Sequence, residues 1–307
     1  MSQVGVTAEV RLRAERRRIG EDVVKVLLAV CAFVSVATTV GIVIALFVPA
    51  FEFFQQVSIV DFVTGTEWAP LFEPAHFGVL PLVGGTLVVT GIAALVALPL
   101  GLGSAIYLSE YAGNRTRGFL KPALEILAGI PTIVFGYFAL TFMTPFLRDL
   151  GIEVEIFNAL SAGLVMGVML IPTVASLSED AMGSVPRDLR DGAYALGSRK
   201  VQVATRIVVP AAASGIVASF VLAISRALGE TMIVLVAAGQ QPNLTFDPRE
   251  AVETITAFIG ATGAGDVPTG SREYKTIFAA GATLFLITFV MNVIAIRLVR
   301  KYREVYE

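Results

Sequence analysis

Six stretches of this 307-residue chain are each long and apolar enough to cross a bilayer, which leaves few folds open to it. A helix needs about 20 apolar residues to span the hydrocarbon core. Lipid offers no partners to backbone N–H and C=O groups, so each run must be a helix that satisfies its own backbone. The runs cover about residues 23–50, 79–109, 119–147, 157–177, 211–239 and 275–299. The third is interrupted by Gly129-Ile130-Pro131, where proline frees a carbonyl that only a neighbouring helix or water can take up. Charged residues make up 16% of the chain and apolar ones 55%, whereas soluble domains carry about 25% charge. The expected fold is all-α, a polytopic membrane protein with six transmembrane helices.

The basic residues set its orientation. Eighteen of the 23 lysines and arginines fall on one side of a six-span arrangement: in the N-terminal tail, after the second run, between the fourth and fifth runs, and at the C-terminal end. An excess of Lys and Arg marks the cytoplasmic side, so both termini are expected there. Three regions follow: a basic cytoplasmic tail at 1–22, a first helix with a long acidic outer segment at 23–78, and a core at 79–307 containing a cytoplasmic loop at 179–210. The Arg11–Arg18 cluster sets topology beside anionic membrane lipid. Glu179 and Asp180 are expected to be solvated loop charges, and Glu125 to pair with Lys121 one turn away. Gly163 and Gly167, four residues apart, permit close helix packing.

Several classes of function drop out. Cys31 and His76 are each the single residue of their type, so neither a disulfide within the chain nor an ordinary His/Cys metal site is possible. No phosphate-loop motif occurs. No catalytic residue, metal, resident cofactor or nucleic-acid partner is expected, and no cleavable signal peptide is visible.

Arg226 stands near the middle of the fifth run. A guanidinium cannot shed its proton to escape burial, and holding it at mid-bilayer costs roughly 2.5–3.5 kcal/mol on insertion scales. Such a residue marks an anion site or a pathway. On a continuous helix Glu230, four residues on, shares its face. A second feature lies in the cytoplasmic loop. Pro186 is placed to open a short helix. Leu189, Ala193, Leu196 and Val203 give it a partial apolar stripe, and Gly197 can close it in a left-handed conformation.

This loop reads Asp191-Gly192-Ala193, three residues, Gly197, nine residues, then Ile207-Val208-Val209-Pro210. It resembles the loop shared by permeases of bacterial importers driven by ATP-binding cassettes: Glu-Ala-Ala, three residues, Gly, nine residues, Ile, one residue, Leu-Pro. Asp replaces Glu, Gly192 replaces an alanine, and Val209 replaces leucine, with the spacing intact. The run Arg226-Ala227-Leu228-Gly229-Glu230-Thr231-Met232 resembles the signature of phosphate-uptake permeases. Phe77-Gly78-Val79-Leu80-Pro81, Ala105-Ile106-Tyr107-Leu108-Ser109-Glu110 and Gly129-Ile130-Pro131 agree with it. Trp68-Ala69-Pro70 favours the PstC-type half of that family over the PstA-type half.

The resemblance implies a type I ABC importer permease fold in a prokaryotic plasma (inner) membrane. It implies a PstA-type partner half, two copies of a PstB-type ATPase that bind ATP and Mg, and a PstS-type phosphate-binding protein. Asp191, Gly192, Ala193, Tyr194, Ala195, Leu196 and Gly197 would form the coupling helix that inserts into the ATPase. Arg226 would draw the anion, while Glu230 would limit how tightly it is held and disfavour sulfate, which lacks a proton to donate. A structural Arg226–Glu230 pair is the plainer alternative. A permease half for phosphonate, sulfate or molybdate, or a secondary anion transporter, are the alternative functions.

Overall fold

A computed structural model describes residues 19–301, so the arginine cluster at 11–18 lies outside it. Apolar periodicity and proline placement produce helices almost throughout. These are α1 (Ile19–Phe54), α2 (Ile59–Thr64), α3 (Leu80–Ile106), α4 (Asn114–Ala128), α5 (Thr132–Phe138), α6 (Thr144–Asp149) and α7 (Ala159–Gly183). The second half adds α8 (Arg187–Ala195), α9 (Lys200–Val203), α10 (Val209–Ala211), α11 (Ala213–Leu228), α12 (Met232–Ala237), α13 (Ile255–Gly263) and α14 (Arg272–Lys301). Wider π-type turns continue α3 through Tyr107–Tyr111, join α5 to α6 and join α9 to α10. One departure from all-helical structure is a two-residue antiparallel ladder, β1 (Trp68–Ala69) with β2 (His76–Phe77), pairing Trp68 with Phe77.

The chain divides into two units at Val48–Pro49. The first is α1 up to Val48, whose apolar side chains from residue 21 to 42 are exposed, as suits a helix whose solvent is lipid. The second holds everything else. Among the described residues four helices are long and apolar enough to cross a membrane, and up to six spans result if each bent pair counts as one. The first bent pair turns by 88° between α4 and α5, at the Gly129-Ile130-Pro131 interruption. The second turns by 72° at Ala212, between the α9–α10 segment and α11.

The central seam of the second unit is α3 against α7, and small residues make it close. A Cβ added to Gly163 would lie 2.7 Å from Ile92 Cβ, and one at Gly167 would lie 2.7 Å from Val96 Cβ. The glycine pair is therefore a packing device, as its spacing predicts. Three cores stack along this seam. The middle one joins Val89, Ala93, Met166 and Leu170 to Phe135 and Ile233. At the α8 end, Ala105, Met182, Ala193 and Val208 cluster. At the opposite end an aromatic cluster forms around Trp68, which meets Phe258 edge-on at 4.9 Å and Phe62 at 6.1 Å. Lys275 Nζ to Glu52 Oε2, at 2.8 Å, ties the start of α14 to that end.

Two sequence expectations fail at the α8 end. Helix α7 runs six residues past 177, so Glu179 and Asp180 are helical rather than in a loop, and Glu179 is 1% exposed. Its carboxylate binds Arg117 Nη2 and, at 3.2 Å, Lys121 Nζ, both on α4. Lys121 is thereby paired across helices, with Asp180 its further partner at 3.6 Å. Glu125, the partner expected along its own helix, is exposed. The cluster is asymmetric, because the carboxylate is buried while both cations are partly solvated. Removing the cations strands a buried charge, which costs about 3–5 kcal/mol. Neutralising the carboxylate leaves two cations that water can serve. The Arg117→Ala/Lys121→Ala double variant is therefore expected to lower the thermal midpoint in detergent well below that of Glu179→Gln. Equal losses would contradict this account.

Candidate functional site

The fifth expected run is not one helix. Helix α11 ends at Leu228, Gly229 turns the chain, and α12 starts at Met232. Glu230 makes this break. Its Oε1 accepts the N–H groups of Met232 at 3.0 Å and Ile233 at 3.3 Å, two of the donors that the start of α12 leaves open. A carboxylate at a helix N-terminus also meets the favourable end of the backbone dipole. Thr256 Oγ1 donates to the Glu230 carbonyl at 2.6 Å, bracing the turn from the first turn of α13. The expectation that Arg226 and Glu230 share one helix face is therefore wrong, and they form no ion pair. Glu230 is 9% exposed, with its carboxyl turned to the start of α12.

Arg226 is left on the last turn of α11, where the helix dipole favours a cation. It is exposed, and Nη1 donates to Thr173 Oγ1 at 3.2 Å. Thr173 lies within α7, about 15 Å along the axis from its Gly183 end and about 21 Å from its Ala159 end at 1.5 Å per residue. The guanidinium thus sits near mid-depth of a spanning helix. Among the described residues one of its five N–H donors is engaged, which leaves the others for an oxyanion. Sequence spacing could not have found Thr173, which lies 53 residues away and carries no motif.

The second half of the site is the α8 face. Pro186 stands just before the helix and Gly197 closes it with φ +78. The expected apolar stripe divides. Ala193 and Val203 enter the chain's own core, while Leu196 is 89% exposed and Tyr194 42%. Asp191, Gly192, Ala195 and Gly197 are exposed as well. So the helix is anchored by one face and presents the other.

The anchor is Arg190, which sequence reasoning missed. Its Nη1 donates to the Val185 carbonyl at 2.6 Å, and Nη2 to the Met182 carbonyl at 2.8 Å and to Glu110 Oε1 at 3.1 Å. The Glu110 side chain is 6% exposed. One guanidinium therefore joins α8 to the end of α7 and to the turn that ends α3. Lys200 adds a cation over the Tyr111 ring at 5.1 Å to its centroid.

With this geometry in place, comparison with known proteins becomes specific. Residues 97–304 match the family described as binding-protein-dependent transport system inner membrane component. The chain is 33% identical to the probable ABC transporter permease protein YqgH of Bacillus subtilis (strain 168), over 95% of this chain and 94% of that one. It is 35% identical to the phosphate transport system permease protein PstC of Xylella fastidiosa (strain Temecula1), over 80% of this chain and 82% of that one. In fold it is similar to a bacterial ABC transporter involved in the import of the acidic polysaccharide alginate. That match has TM-score 0.63 and 18% identity, over 94% of this chain and all of the other. The inward-facing MetNI methionine ABC transporter matches at TM-score 0.55 over 74% of this chain and 95% of that one. The cassette-importer loop and these likenesses agree: the chain belongs to the binding-protein-dependent transport system inner membrane component family, as a permease of the PstC type.

Proposed function

We propose that this chain is one transmembrane half of an ATP-driven importer of inorganic phosphate. The observation that carries the reading is Arg226: a permanently charged fork at mid-depth of a spanning helix, with most of its donors uncommitted, in a chain 35% identical to a phosphate permease. The chain does no covalent chemistry and holds no cofactor. ATP and Mg bind in a separate PstB-type ATPase, two copies of which meet the α8 faces of this chain and of a PstA-type partner half. A PstS-type binding protein delivers phosphate to the opposite side. Both termini lie on the cytoplasmic side of the inner membrane, as the distribution of basic residues requires.

In this scheme Arg226 meets the anion, and Glu230 holds the turn that presents Arg226 to the path. Glu230 spends its charge on α12 rather than on repelling sulfate. Asp191 to Gly197 receive motion from the ATPase, and Arg190 relays it to α3 and α7. Uptake of labelled phosphate by vesicles holding the whole complex, challenged with excess unlabelled anions, tests the substrate. Unlabelled phosphate is expected to suppress uptake, with sulfate, molybdate and phosphonate ineffective at the same concentration. Equal suppression by molybdate or phosphonate would reassign the anion. Uptake without hydrolysable ATP would point to secondary transport.

A further inference from the structure

At the end of the molecule opposite α8 lies a cavity of about 380 Å³ that neither the Arg226 path nor the coupling face explains. Its walls are apolar, with Leu71, Phe72, Pro242 and Val267 among them. Two residues of its lining, Trp68 and Glu253, are buried and carry polar groups. Trp68 is 3% exposed and its indole Nε1 bonds nothing. Its ring cannot turn to find a partner, because Phe258 and Phe62 pack it edge-on and its backbone pairs with Phe77. Such orphaned donors are rare in folded proteins.

The second group is Glu253, 7% exposed, whose carboxyl makes no hydrogen bond or ion pair among the described residues. It lies outside the candidate spans, and burial pushes its carboxyl up to about 7. Its position is built rather than incidental. A Cβ added to Gly85 would lie 2.4 Å from the Glu253 carbonyl oxygen, and Ile255 N donates to Thr86 Oγ1 at 3.0 Å. The segment is thus clamped to α3. Asp266 stands exposed at the rim, and no basic side chain lines the cavity.

We propose that this cavity receives a basic side chain, lysine foremost, that the extracytoplasmic binding protein inserts when it docks. This rests on the importer reading above. The form of the site fits that occupant. An apolar sleeve suits the four-carbon stem of lysine, which packs along apolar surface and keeps its charge at the tip. Glu253 in the lining and Asp266 at the rim each offer a carboxyl group. An anion such as phosphate is excluded, since the lining supplies two acids and no cation.

Trp68 is the chain's single tryptophan, so its emission reports on this cavity alone. The full chain purified in detergent is titrated with n-butylammonium, n-butanol and butyrate. Butylammonium is expected to change the emission saturably, the other two not, and Glu253→Gln, shown folded by circular dichroism, to weaken the response about tenfold or more. A response to butanol or butyrate equal to that of butylammonium, or no saturable response, overturns the proposal. In vesicles with the whole importer, Glu253→Gln is expected to raise about tenfold the concentration of binding protein that half-saturates ATPase stimulation. Phosphate uptake at saturating binding protein is expected to persist. An unchanged half-saturation overturns the docking role, including the case in which phosphatidylethanolamine vesicles alone alter Trp68 emission. Absence of phosphate uptake in the wild type would instead overturn the importer reading.

Discussion

Replacing Arg190 with alanine is expected to cut ATP-driven uptake by about tenfold or more and to abolish the rise in ATP hydrolysis that binding protein elicits. Arg190 makes charged hydrogen bonds to Glu110 and to the Val185 and Met182 carbonyls. Each such bond is worth about 1.5–3 kcal/mol, and about 1.4 kcal/mol is a factor of ten. Without it, α8 keeps Ala193 in the core but loses its rigid link to α3 and α7. Motion received at Leu196 and Tyr194 then dissipates at the joint. Glu110→Gln is the informative companion, because it keeps an acceptor and leaves both carbonyl bonds intact, and it is expected to retain most uptake. Parallel uptake and ATPase assays on reconstituted complexes check both variants. Arg190→Ala complexes that transport normally would show that the joint carries no force.

Arg226 carries the other large effect. Glutamine in its place keeps hydrogen-bonding groups but removes the charge, and charge-assisted bonds are about twice as strong as neutral ones. A loss of about 1.5–3 kcal/mol at the anion corresponds to a fall in uptake of about tenfold to a hundredfold. The fold itself should survive, because Arg226 is exposed and its one partner among the described residues is Thr173. Glu230→Gln is expected to act through shape instead. It weakens the acceptor for the Met232 and Ile233 N–H groups, loosening the turn beneath Arg226 and lowering uptake of every anion alike. A selective gain in sulfate uptake would instead restore a discriminating role for Glu230.

What could be read from the sequence followed the range of the physics involved. Lipid imposes length and apolarity on every span, so the runs were visible. Proline declared the α4–α5 bend at Pro131, and the glycine pair declared the α3–α7 seam. The fifth run misled because Ala211 to Gly239 is apolar on both sides of Gly229, and hydropathy is blind to a turn braced by a carboxylate. The cap had a local signature in Glu230-Thr231 ahead of Met232-Ile233, which an expectation of one continuous helix concealed. Glu179 was misplaced because the polar run at its end of α7 resembles a loop. Its partners Arg117 and Lys121 lie on another helix, 62 residues away in the case of Arg117. Arg190 and Glu110 are 80 residues apart, and no spacing rule joins them. Trp68 and Glu253 likewise meet through tertiary packing alone.

The most direct measurement of the central claim is phosphate uptake by proteoliposomes holding the full complex, wild type against Arg226→Gln, with ATP hydrolysis followed in the same preparation. Uptake lost by about tenfold or more, with ATP hydrolysis retained, would set Arg226 on the anion path with the coupling face intact. Uptake equal to wild type would contradict the account and make Arg226 a structural charge.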